Sequence, residues 1–209
     1  MIYVTSDLHG LKLTKLKALL KKAYFSKNDW LFVLGDVIDR QNDGGVAILG
    51  WLLEQPNAQL ILGNHEAMLL SCDFVFNEIT EESIRRFGKE QMELLNNYML
   101  NGGDVTLKAL RKLKIESPET LNDIIGYLKE APLYETVHAG EKDFLLCHSG
   151  LDNFSPERNL ADYTADELSG LGPNLPTVIL MIVLRFSAIH RQKVTVKNTM
   201  AKSLKPILG

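Results

Sequence analysis

The chain predicts an α/β fold in which strands end in polar clusters and helices run between them. Three observations lead there. Short apolar runs of strand length recur at Ile2-Tyr3-Val4-Thr5, Leu31-Phe32-Val33-Leu34, Gln59-Leu60-Ile61-Leu62 and Phe144-Leu145-Leu146-Cys147. Stretches with helical spacing separate the first three. Each run is followed within a few residues by Asp, His or Asn. Strand–helix alternation argues a mainly parallel sheet covered by helices, and such sheets bind ligands at the carboxyl ends of their strands.

The second run anchors the reading. It continues into Gly35-Asp36-Val37-Ile38-Asp39-Arg40, and Gly35 lets the backbone turn at the strand's end without a Cβ clash. Asp36 and Asp39 then stand close together, and adjacent carboxylates repel unless a cation lies between them. Arg40 beside them points to an anion, so metal plus phosphate is the expected pairing. The other runs lead into Ser6-Asp7-Leu8-His9-Gly10, Gly63-Asn64-His65-Glu66 and His148-Ser149-Gly150. Asp, His and Asn together suit manganese, iron or zinc better than calcium.

The remaining elements follow in order. Residues 11–24 place Leu16, Leu19, Leu20 and Ala23 on one helical face, with lysines on a solvated face opposite. A helix over 46–54 stops before Pro56. Residues 67–130 read as helix, broken at Gly88, at Asn101-Gly102-Gly103 and at Ser117-Pro118, with Ser117 as the cap and Pro118 opening the next helix. This insertion either covers the site as a lid or packs one sheet face. A hairpin over 134–138 and 143–147 turns at Ala139-Gly140-Glu141-Lys142, with His138 on the surface and Cys147 in the core.

Composition sets the outer limits. A chain of 209 residues with 45% apolar and 23% charged residues is one soluble domain with a full core. A net charge of -3 draws in neither nucleic acid nor membrane. Cys72 and Cys147 have no metal-ligand spacing and read as reduced thiols of a cytoplasmic protein. The first residues read directly as a strand, so no signal peptide is expected. Its longest apolar run, at 178–184, is far shorter than the ~20 residues of a membrane helix.

The blocks SDLHG, GDVIDR, GNHE and CHSG, with LNGG at 100–103, resemble the signature of the calcineurin-like metallophosphoesterases. They look most like its phosphoprotein phosphatase (PPP) branch, in the small bacterial and phage serine/threonine phosphatases. The resemblance covers residues 1 to about 168 and implies a catalytic domain over 1–168 with the helical insertion 67–130 inside it. It implies an α+β sandwich with a mainly β core and two divalent metal ions, manganese first, with iron or zinc as alternatives. Asp7, His9 and Asp36 would hold the first ion, and Asp36, Asn64 and His148 the second. His65 would be the general acid, oriented by Asp39, with Arg40, Asn64 and His65 on the phosphate. The implied substrates are protein phosphoserine and phosphothreonine, smaller phosphoesters, or symmetric dinucleoside tetraphosphates. Glu66 reads as the start of a helix rather than as chemistry.

The tail departs from this pattern. The family's second half carries a Gly-His-Ser or Gly-His-Thr motif that completes the second metal site, and residues 169–209 contain none. Arg185-Phe186-Ser187-Ala188-Ile189-His190-Arg191-Gln192 can be encoded by codons that read Ile-Phe-Gly-His-Thr-Pro-Thr in a shifted frame. Residues 169–173 likewise yield Trp-Ala-Arg-Pro. A frame change near Leu168 is therefore expected, with Val178-Ile179-Leu180-Met181-Ile182-Val183-Leu184 still seeking a strand position and His190 a chance substitute ligand. Two function classes stay open: a working metal-dependent phosphatase, or a catalytically impaired or non-catalytic phosphate binder.

Overall fold

A central sheet of three short strands, with side chains entering cores on both of its faces, splits the interior into two layers. The computed structural model describes residues 1–78, 80–151, 155, 157–164 and 167. The expected frame change, the strand at 178–184 and His190 lie outside the described residues. β1 (Ile2–Ser6), β2 (Trp30–Leu34) and β3 (Ala58–Ile61) form a parallel sheet in the order β1-β2-β3. Ser6 aligns with Leu34, and Leu34 with Ile61, so these strands end level with one another. Side chains alternate across a pleated strand. Leu31, Val33, Ala58 and Leu60 thus enter the larger core, while Phe32, Leu34 and Ile61 enter a smaller one on the other face.

Helices cover the first face. α1 (Leu13–Lys22) joins β1 to β2, and α2 (Val46–Leu53) joins β2 to β3. The apolar stripe of α1 is narrower than its spacing suggests: Leu16 is buried, but Leu19 is 58% exposed. The helical stretch after β3 opens at Asn64 rather than at residue 67. It runs through α3 (Asn64–Ser71), a 3-10 turn (Asp73–Phe76), α4 (Glu81–Arg86), α5 (Lys89–Leu100), α6 (Asp104–Glu116) and α7 (Pro118–Glu130). Pro118 opens α7 in its first turn, but Ser117 does not cap it. At φ −155° and ψ 80° the Ser117 hydroxyl meets Thr120 Oγ1 at 2.7 Å instead of a backbone N–H. α7 packs against α2, α3 and α6 and buries Leu121, Ile124 and Leu128. Its Tyr127 hydroxyl accepts from Leu60 N at 3.2 Å. This part of the insertion therefore builds core.

The fourth ligand-bearing run does not lie beside the other three. β4 (Tyr134–Ala139) and β5 (Lys142–Cys147) pair only with each other among the described residues, in antiparallel register. Leu62 N donates to Pro132 O at 2.8 Å, which brings the chain across to the second face of the sheet. There Val137 and Leu146 pack on Phe32, Leu34 and Ile61. The architecture is helices, parallel sheet, hairpin. Phe32→Ala should therefore cost ~3–5 kcal/mol and loosen β5, measurable as a lower urea midpoint. An unchanged midpoint would mean that the hairpin gains little from this contact. No helix among the described residues is long and apolar enough to cross a membrane.

Candidate metal centre

The loops after the three parallel strands are stitched to one another before any side chain acts. His9 N donates to Asp36 O and Gly10 N to Val37 O, both at 2.8 Å, and Asp7 N reaches Gly35 O at 3.3 Å. Gly35 sits at φ +67°, and a Cβ there would lie 2.5 Å from Gly63 Cα and 2.7 Å from His148 Nδ1. Only glycine lets the four polar segments close up. Asp7, His9, Asp36, Asp39 and Arg40 all adopt positive φ, from 39° to 75°. Residues with a Cβ rarely hold that conformation, and where they do, strain of this kind gathers at functional sites.

The side chains converge on Asp36. His9 Nδ1 lies 3.2 Å from Ile38 O and His148 Nδ1 lies 2.8 Å from Leu34 O. A carbonyl only accepts, so both Nδ1 atoms carry hydrogen and both Nε2 atoms keep a lone pair when the rings are neutral. His9 Nε2 faces Asp36 Oδ2 at 3.6 Å and Asp7 Oδ1 at 3.8 Å. His148 Nε2 faces Asp36 Oδ1 at 3.3 Å, and the Asn64 amide lies 2.9 Å from the same nitrogen. Burial, the largest influence, moves the His9 pKa down and favours its neutral form. Two imidazole lone pairs thus point at the two oxygens of one buried carboxylate. At His9 acceptor faces acceptor, an arrangement that a cation relieves, while at His148 the Asn64 amide lies within reach of both the imidazole nitrogen and the Asp36 carboxylate. His9, Asp36 and His65 offer ligand atoms within 4.8 Å of one another and could hold a metal ion.

His65 occupies a different position from the other two imidazoles. Its Nδ1 lies 2.6 Å from Asp39 Oδ2, and the Arg40 guanidinium donates to its Nε2 at 3.2 Å. Both His65 and Asp39 are buried, whereas Arg40 is exposed. Burial alone would pull the His65 pKa down. The Asp39 hydrogen bond and the charges of Asp36 and Asp39 outweigh it, and the net shift is upward from 6.5.

Three residues outside the expected set complete the site. Glu66 is fully buried, and its carboxylate accepts from four backbone N–H groups: Asp36 and Gly63 on Oε2, Val37 and Ile38 on Oε1. Burial and the Asp36 charge push its pKa up, against the pull of those donors. Converging donors are the surroundings of a carboxylate rather than of an acid. Its place in the first turn of α3 was the visible signal, but the loop it anchors lies about 30 residues back. Glu66→Gln should cost about 3 kcal/mol, since its amide would turn a donor toward buried donors. Equal urea stability of the variant and the parent would remove Glu66 from the scaffold. Tyr98 and Thr106, from α5 and α6, meet Asp39 Oδ1, each at 2.6 Å.

The chain is similar to several known proteins. A 100-residue stretch is 31% identical to the symmetrical bis(5'-nucleosyl)-tetraphosphatase of Buchnera aphidicola subsp. Schizaphis graminum (strain Sg), covering 47% of this chain and 35% of that protein. The match thus spans about a third of the curated relative's length. A proposed diadenosine tetraphosphatase of known structure is similar with TM-score 0.48 and 21% identity, over 80% of this chain and 57% of that one. A Saccharomyces cerevisiae protein serine/threonine phosphatase with similarity to human PP5 gives TM-score 0.43 and 21% identity, over 80% and 44%. Residues 1–180 match the calcineurin-like phosphoesterase family. With that match over most of its length, the chain belongs to the calcineurin-like phosphoesterases.

Proposed function

We propose that the chain is a metal-dependent phosphoesterase of the phosphoprotein phosphatase type, acting on phosphate monoesters and first on phosphoserine or phosphothreonine in proteins. The observation that carries this reading is Asp36, with His9 Nε2 on one carboxylate oxygen and His148 Nε2 on the other. Asp7, His9 and Asp36 would hold one ion, and Asp36, Asn64 and His148 a second. Manganese is the first choice for this oxygen–nitrogen set, with iron or zinc as alternatives. His65 is left out of both sets, because Asp39 occupies its Nδ1 and Arg40 its Nε2. A divalent ion held by these residues would polarise phosphoryl oxygens and lower the pKa of a bound water.

The chain's own groups do the rest. Arg40, exposed at the rim, meets the phosphate dianion, and the Asn64 amide reaches toward it. An arriving phosphate draws the guanidinium away from His65 Nε2. That nitrogen is then free to carry the proton it gives to the departing oxygen. Asp39 keeps the ring oriented and favours its protonated form.

A second reading, hydrolysis of symmetric dinucleoside tetraphosphates, is favoured by the likeness to the Buchnera protein. The purified 209-residue chain with manganese should release inorganic phosphate from a phosphoserine or phosphothreonine peptide and from phenyl phosphate. ADP from diadenosine tetraphosphate at a higher kcat/KM would establish the second reading instead. Bound manganese with no turnover of any of these would leave a phosphate-binding protein and overturn both.

A further inference from the structure

Three residues of the helical insertion reach the turn that carries Asp39 and Arg40. Near the end of α5, the Tyr98 hydroxyl donates to Asp39 Oδ1 at 2.6 Å. In the first turn of α6, Thr106 Oγ1 accepts from Asp39 N at 3.0 Å and lies 2.6 Å from the same Oδ1. Between the helices, Gly102 O accepts from Arg40 N at 3.0 Å. Gly103 makes the close approach possible, since a Cβ there would lie 2.5 Å from the Tyr98 ring. Tyr98, Thr106 and Asp39 are all 0% exposed.

Proton counting assigns the network. Thr106 has one hydroxyl proton, and the acceptors nearest it are Asp39 Oδ1 at 2.6 Å and Gly44 O at 3.2 Å. The shorter contact, to a charged acceptor, takes it. Asp39 Oδ1 therefore receives two hydroxyls and Oδ2 receives His65 Nδ1. The carboxylate has no freedom to rotate. Burial pushes the Tyr98 phenol far up, so it stays a donor at every working pH. A fully satisfied buried network of this kind fixes one arrangement of its members.

We propose that Tyr98 and Thr106 are positioning residues for proton delivery: they lock the Asp39 carboxylate, which holds His65 toward the departing oxygen, and so tie the helical insertion to the chemistry. The inference rests on His65 as proton donor in the reading above. A network that merely held the α5–α6 corner onto the core would slow every substrate alike. Proton delivery matters chiefly for poor leaving groups.

The test uses the full chain with manganese and two substrates, an alkyl phosphate and 2,4-dinitrophenyl phosphate, whose acidic phenol leaves without a proton. Tyr98→Phe keeps the ring on Gly103, and Thr106→Val keeps the shape of Thr106. Each should lower kcat on the alkyl phosphate roughly tenfold more than on the dinitrophenyl ester, a fraction of the ~10²–10⁴ of a general acid. Thr106→Ser, which keeps the hydroxyl, should lose little of that selectivity. Equal losses on both substrates would overturn the proposal. His65→Asn is the control: if it also slows both alike, the functional reading fails rather than the positioning. A second measurement then decides, and it needs no turnover. The low-field proton signal of His65 Nδ1–H, assigned by its loss in His65→Asn, should move upfield and exchange faster with water in Tyr98→Phe and Thr106→Val. An unchanged signal in both would overturn the proposal.

Discussion

Asp36→Asn should abolish manganese binding at both donor sets and lower phosphoester hydrolysis at least about a thousandfold. The carboxylate stands between His9 Nε2 at 3.6 Å and His148 Nε2 at 3.3 Å, so one substitution removes a donor from each set. Metal catalysis contributes several kcal/mol of barrier lowering, and each 1.36 kcal/mol is tenfold in rate, which gives roughly three orders of magnitude. Stability gives an independent readout. Manganese at about a hundred times its Kd stabilises the parent by ~2.7 kcal/mol, or a Tm rise of roughly 5–10 °C for a chain of this size. The variant should show no such rise. Without metal it should be at least as stable as the parent, because the new amide can donate to an imidazole lone pair that previously faced a carboxylate. If manganese still raises the variant's Tm by the parental amount, Asp36 is not shared between two ions.

His65→Asn should lower turnover of an alkyl phosphate by ~10²–10⁴ while manganese content stays near the parental value. Asp39 Oδ2, 2.6 Å from His65 Nδ1, defines the ring's orientation and raises its affinity for a proton. The pKa sign sets the pH profile. Burial alone lowers the His65 pKa, but the Asp39 hydrogen bond and the two nearby carboxylate charges bring it above 6.5. The protonated ring therefore persists above pH 6.5, and kcat/KM on the alkyl phosphate should fall as pH rises through the raised pKa. Asp39→Asn should move that falling limb to lower pH. Loss of manganese on replacing His65 would instead make it a ligand, in keeping with its place beside His9 and Asp36.

The residues that converge were legible because each follows its strand by one to a few positions. Ser6-Asp7-Leu8-His9-Gly10 and Gly35-Asp36-Val37-Ile38-Asp39-Arg40 are local words, and parallel pairing of their strands brings their ends level. Helix breaks at Gly88, at 101–103 and before Pro118 were local for the same reason. The apolar stripe of α1 is narrower than its spacing suggests, since helical spacing marks a candidate face but packing decides its width, and Leu19 stays in solvent.

What the sequence determined by itself is the set of strand-end carboxylates, imidazoles and the arginine, and with it the expectation of metal-and-phosphate chemistry. Covalent spacing within ten residues places those groups at the sheet's edge whatever the rest of the chain does. Tertiary structure alone decided the partners. The hairpin lies across the sheet on Phe32, Leu34 and Ile61 instead of beside it, and still brings His148 to Asp36. Glu66 reaches back 29 residues to Val37, Tyr98 spans 59 residues to Asp39, and Thr106 spans 67. No local pattern encodes a contact of that separation, because it forms only when packed helices and sheet fix both ends and exclude the water that would otherwise satisfy each polar group.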